Sequence, residues 1–135
     1  MLIAVTTDTP VLNSLISQNF GRCAFFILFD EDKNSTEIIQ NPYAKMMGVG
    51  AGIQLARLLI DKKADLVITN RMGAGPFRLL LSANVEVYQC TELTALKAVE
   101  LLVKNELPAL DMPSVTAGSK FRKRYFKNQS DKQSG

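Results

Sequence analysis

The chain opens on a short unbroken apolar run, Met1–Thr6, and then turns polar at Thr7-Asp8-Thr9-Pro10. A run of that length without alternation predicts a strand buried on both faces, and the polar cluster predicts a turn at its carboxyl end. Cys23–Phe29, rich in aromatic and branched residues, predicts a second strand. The polar stretch Asp30–Ser35 suits a hairpin loop, and Thr36–Asn41 returns as a shorter third strand before Pro42. From Gly48 the period changes. Ile53, Ala56, Leu59, Ile60 and Ala64 recur at helical spacing with Gln54, Arg57, Asp61 and Lys62 between them, which predicts a helix over Gly50–Lys63.

The alternation then repeats. Asp65–Thr69 reads as another buried strand. After Asn70–Pro76 a helix carries Phe77–Ala83, with Pro76 in its first turn, where the missing N–H costs nothing. Val85–Cys90 alternates as a last strand, Thr94 is placed to cap a helix bearing Ala95, Ala98, Leu101 and Leu102 on one face, and Asn105 suits a left-handed stop. The order β-β-β-α-β-α-β-α starts antiparallel and continues as strand-helix alternation, which implies parallel pairing and an α/β fold of three layers, α/β/α.

At 135 residues and 47% apolar content the chain can bury the core of one soluble domain. Its boundaries are expected at 1–113, followed by a basic flexible tail over 114–135. The net charge of +3 is unevenly spread: Met1–Gly118 holds 10 Lys and Arg against 12 Asp and Glu, whereas Ser119–Gly135 holds 6 against 1. There is no His. That removes His-based acid–base catalysis, Ser–His and Cys–His pairs, and every zinc site that needs imidazole. Two cysteines make no disulfide framework, the start lacks a secretory pattern, and no apolar run approaches the roughly 18 residues of a membrane span. The expected location is the cytoplasm.

With the first strand parallel to those at Asp65 and Val85, their carboxyl ends open on one edge of the sheet, where ligands of open α/β sheets bind. Thr7, Asp8, Arg22, Cys23, Asn70, Arg71, Gly73 and Cys90 share that rim, joined by Asn41 and Tyr43 if the third strand is parallel to the first. Met72-Gly73-Ala74-Gly75-Pro76 opens a helix and is either a tight turn or an anion cradle of backbone N–H groups. Gly48-Val49-Gly50-Ala51-Gly52 lacks the Lys-Ser/Thr ending of a P-loop, which excludes nucleotide hydrolysis, and it also lacks the third glycine of the dinucleotide fingerprint. Cys23 is either a buried small hydrophobe or, with the Arg22 guanidinium lowering its pKa, a soft ligand for a metal or cluster. A nuclease would need clustered carboxylates for two metals, and the rim offers only Asp8. The basic and aromatic run Phe121–Phe126 is the one segment suited to nucleic acid.

Several of these stretches recur together in one known family. Asn19–Phe26 after a strand ending Val5-Thr6-Thr7-Asp8, then Asn41–Ala44, Gly48–Gly52, Asp65–Thr69 with Met72–Pro76, and Val85–Tyr88 resemble the dinitrogenase iron-molybdenum cofactor biosynthesis family in order and spacing. The resemblance implies a ribonuclease H-like motif, a five-stranded mixed sheet between helix layers with strand two antiparallel. It implies no enzyme but a nitrogenase accessory factor-like carrier or chaperone. Its cargo would be an iron-molybdenum cofactor, an iron-sulfur precursor or a related anionic small molecule, passed to a protein partner in cluster assembly. On this chain the binding residues would be Asp8, Arg22, Cys23, Asn70, Arg71, Gly73 and Gly75, with Cys23 as metal ligand. Many members carry His immediately before Phe-Gly-Arg, where this chain has Asn19. The alternative is a metal-free interaction protein, with a protein or nucleic-acid partner engaged through the basic tail.

Overall fold

The computed structural model describes residues 1–107 and the backbone of 109–110. Its elements follow the order β1 (Leu2–Thr7), β2 (Phe25–Asp30), β3 (Ser35–Gln40), α1 (Ala51–Asp61), β4 (Leu66–Thr69), α2 (Ala74–Ser82), β5 (Glu86–Gln89), α3 (Ala95–Val103) and β6 (Ala109–Leu110). The strands form one mixed sheet in the order β3-β2-β1-β4-β5-β6. β1 is parallel to β4 and β4 to β5, while β2 is antiparallel to both β1 and β3. The five expected strands are therefore present. A sixth, only two residues long, pairs antiparallel with the outer edge of β5 and was not legible in the pattern. The expected tail lies outside the described residues.

The central strands read as continuous apolar runs because helices cover both faces. On one face Ala4, Phe26, Leu28, Val67 and Val87 pack against Leu55, Ala56 and Leu59 of α1 and Phe77 and Leu80 of α2. On the other, Ile3, Val5, Ile27 and Ile68 pack against Ala95, Ala98 and Leu102 of α3, with Ile16 from the segment after β1. Each fully buried Phe, Ile or Leu contributes about 1.5–3 kcal/mol relative to an exposed one, so these two half-cores are what hold the sheet between its layers. β3, by contrast, is almost wholly exposed, which matches its polar, short sequence at the sheet edge.

Each helix stops in the same way. Lys63, Asn84 and Asn105 all lie at positive φ two residues past the end of their helix. The following N–H groups of Ala64, Val85 and Glu106 reach back to the carbonyls of Leu59, Leu80 and Leu101. These are Schellman caps, and they satisfy carbonyls of each last turn as the chain leaves the helix. Only α3 has a side-chain cap at its start, the Thr94 hydroxyl accepting from the Lys97 N–H at 3.2 Å. Thr94→Ala is expected to destabilise the protein by about 1 kcal/mol. A urea midpoint unchanged from wild type would show that this cap contributes nothing.

Candidate functional site

The parallel alignment of β1, β4 and β5 brings their carboxyl ends to one edge, and β3 ends there too, since it is antiparallel to β2. Two loops extend this edge. Phe20 N–H donates to the Arg71 carbonyl at 2.9 Å and Arg71 N–H to the Gln18 carbonyl at 3.0 Å, so the segment before β2 and the segment after β4 run side by side. Beneath them the Thr6 and Thr69 hydroxyls, both fully buried, are 2.7 Å apart and satisfy one another. In the sequence pattern both are only strand ends. Two threonines closing parallel neighbouring strands are the signal that could have paired them.

A cleft of about 410 Å³ opens over this edge, between residues 19–22, residues 48–53 and residues 71–76. Its walls are the amino ends of α1 and α2. Gly50 precedes α1 and Gly73 precedes α2, neither start has a side-chain cap, and neither first turn carries an acidic residue. Backbone N–H groups and the positive ends of two helix dipoles are thus left for whatever enters. Apolar Phe20, Val49, Ile53, Met72 and Pro76 share the lining with Asn19, Arg22 and Arg71. The loops are fitted tightly: a Cβ on Gly21 would stand 2.5 Å from the backbone nitrogen of Gly52.

The residues expected at the rim are placed differently from one another. Arg22, Arg71 and Gly73 line the cleft. Among the described residues the exposed Arg71 guanidinium has no partner. Arg22 is already engaged, one guanidinium nitrogen donating to the Met46 carbonyl and the other to the Gly48 carbonyl at 2.7 Å. Asp8, Cys23, Asn70 and Gly75 are not among the lining residues. Asp8 is exposed on the turn after β1. Asn70 is turned toward β5, its carbonyl accepting from the Gln89 amide at 3.1 Å. Gly75 faces Ile53 of α1, whose Cδ1 would lie 2.6 Å from a Cβ there, so this glycine lets α1 and α2 approach.

Cys23 is not placed as an Arg22-stabilised thiolate would be. Its side chain is 1% exposed, in the core with Phe20 and Met72. Burial pushes the thiol up to about 12, outweighing the amide of Asn41, whose Nδ2 lies 3.6 Å from Sγ. The guanidinium that was to lower it is spent on the two loop carbonyls instead. Cys90 is also buried, and desolvation raises it to about 11. Among the described residues no three His, Cys, Asp or Glu side chains stand together as a metal site.

Asn41, assigned to the rim only through its strand, proves to be a brace. It is 3% exposed. Its Nδ2 donates to the carbonyls of Gly21 at 3.1 Å and Cys23 at 2.8 Å, and its Oδ1 accepts from the Tyr43 N–H at 2.9 Å. One buried amide therefore fixes the loop that carries Gly21 and Arg22, with its polar groups satisfied where water is excluded.

The family model for dinitrogenase iron-molybdenum cofactor proteins matches residues 1–105. Among solved structures, the apo form of the orange protein from Desulfovibrio gigas is 31% identical with a TM-score of 0.79, covering 84% of this chain and 95% of its own. A putative NifB protein from Thermotoga is 24% identical, with a TM-score of 0.69 and coverage of 85% and 94%. A putative dinitrogenase from Methanocaldococcus jannaschii is 19% identical, with a TM-score of 0.63 and coverage of 84% and 97%. At those lower identities the likeness is one of fold. No curated protein matches the chain. Among the described residues no helix is long and apolar enough to cross a membrane.

Proposed function

Because this chain belongs to the dinitrogenase iron-molybdenum cofactor family, we propose that it is a non-catalytic carrier which takes an anionic metallocluster as cargo in the cleft between α1 and α2. The cargo would be an iron-molybdenum cofactor or an iron-sulfur precursor of it. The observation that carries this reading is the pair of uncapped helix starts, free of acidic residues, converging on one cleft with Arg71, which has no partner among the described residues.

The binding mode follows from what the side chains have available. Cys23 is buried outside the cleft lining, with its thiol pushed up to about 12, so the chain without cargo presents no ready thiolate there. Binding rests instead on charge and hydrogen bonds. Arg71 faces the cargo as a cation, the first N–H groups of α1 and α2 donate to it, and the apolar lining strips its water. Such binding leaves the cluster's own bonds unbroken. A carrier needs that, because cargo held without covalent ligands leaves by dissociation to a partner in cluster assembly.

The test is anaerobic loading of the purified chain with ferrous iron, sulfide and molybdate, followed by desalting and metal analysis. Wild type is expected to retain metal with a visible absorption band. Arg71→Ala is expected to lower the affinity about tenfold, the value of roughly one charge-assisted hydrogen bond. Retention of no metal by wild type would sink the carrier reading, and retention lost on Cys23→Ala but not on Arg71→Ala would replace it with thiolate ligation.

A further inference from the structure

Taking as its basis the reading that the cleft holds an anion, we infer that Arg22 is a positioning residue: its guanidinium clasps residues 46–50 and so sets the amino end of α1 that faces the cargo. The fork reaches the carbonyls of Met46 and Gly48, spanning the turn between them. Little else holds that segment. Met47 is 89% and Val49 96% exposed, so neither packs. Gly48 and Gly50 lie at φ 72° and 113°, a conformation that costs glycine nothing and that glycine as readily abandons. Among the described residues the segment's other hydrogen bonds run from Met46 N–H to the Tyr43 carbonyl and from Gln54 N–H to the Gly50 carbonyl, one at each end.

The clasp has a rigid anchor on its other side. Asn41, buried, holds the carbonyls of Gly21 and Cys23 on either side of Arg22. Order therefore passes from the buried amide to the loop, from the loop through the guanidinium to the Met46 and Gly48 carbonyls, and from there through Gly50 into α1. A planar guanidinium can donate to two carbonyls at once, whereas a lysine ammonium is a single point on a flexible stem. The two arginines of the cleft accordingly divide the work. Arg71 supplies charge to the cargo, and Arg22 supplies geometry to the helix start.

Arg22→Lys separates the two roles, because it keeps the charge and removes the fork. Hydrogen exchange of the hydrogen-bonded amides at the two ends of the segment, Met46 and Gln54, is measured on the full chain without cargo, and retention of iron, sulfide and molybdate is measured after anaerobic loading. Arg22→Lys and Arg22→Ala are both expected to speed exchange of that segment about tenfold or more and to weaken retention alike. Arg71→Ala is expected to weaken retention and leave the exchange as in wild type. An Arg22→Lys protein with wild-type exchange and retention would overturn the clasp, as would faster exchange of the Met46 and Gln54 amides in wild type on loading, since the guanidinium would then be leaving the carbonyls for the cargo. Wild type that retains no metal while Arg22→Lys still loosens the segment would overturn the anion reading and leave the clasp in place.

Discussion

Gly21→Ala is expected to destabilise the protein by about 3 kcal/mol, at the upper end of what an extra methyl group costs in a packed site. The added Cβ would meet the Gly52 nitrogen at 2.5 Å and its Cα at 2.7 Å. Those are backbone atoms in the first turn of α1, and no rotamer change relieves them. Either the loop at 19–22 withdraws, breaking the Asn41 bond to the Gly21 carbonyl, or the start of α1 shifts and the cleft with it. Urea unfolding gives the stability change, and anaerobic loading gives the accompanying loss of retention. The outcome that contradicts this account is a Gly21→Ala protein with a wild-type midpoint. By comparison, Gly48 has nothing within reach of a Cβ, so its alanine variant meets only the strain of φ 72°.

The second large effect is alkaline. Burial pushes the Cys23 thiol up to about 12 and the Cys90 thiol up to about 11, from an ordinary value of 9.0. Raised pKa values mean that the native state holds these protons when the unfolded state has released them. The two buried thiols therefore contribute their full stability below pH 9 and lose it as pH rises toward 11 for Cys90 and 12 for Cys23, with a slope of at most about 1.4 kcal/mol per pH unit for each. For Cys23 the loss over the whole window is on the order of 4 kcal/mol. Urea midpoints collected between pH 8 and 11 for wild type and Cys23→Ala check it. The stability gap between them is expected to narrow as pH rises above 9. Parallel curves, or rapid reaction of Cys23 with a thiol reagent in the native protein at pH 8, would show an accessible thiolate and reopen its use as a metal ligand.

Both effects come from contacts between distant parts of the chain, and they mark where a linear reading stops. The strands and helices were legible because each buried element carries its own period: Ile3, Val5, Ile27 and Ile68 fill one face of the sheet, and Ala4, Phe26, Leu28 and Val67 the other. The edge of the sheet that carries the cleft was legible too, since parallel pairing follows from strand-helix alternation. The individual roles at that edge were not. Arg22 and Cys23 are adjacent in the sequence, and adjacency suggested that one would ionise the other. In the fold the guanidinium spans to residues 46 and 48, and the thiol turns into the core beside Phe20 and Met72.

The local pattern by itself thus determined the order of the first eight elements, the mixed sheet, the glycine-rich helix starts and the absence of imidazole chemistry, because each depends on residue type and near-neighbour spacing. Family membership rested on the same features. Only the tertiary structure decided which cleft arginine has no partner among the described residues, that the thiols are buried, that Asn41 braces the loop, and that Gly21 and Gly75 are small for packing. Those properties depend on burial and on hydrogen-bond partners some twenty or more residues away, and neither burial nor a distant partner is written in a side chain's immediate neighbours.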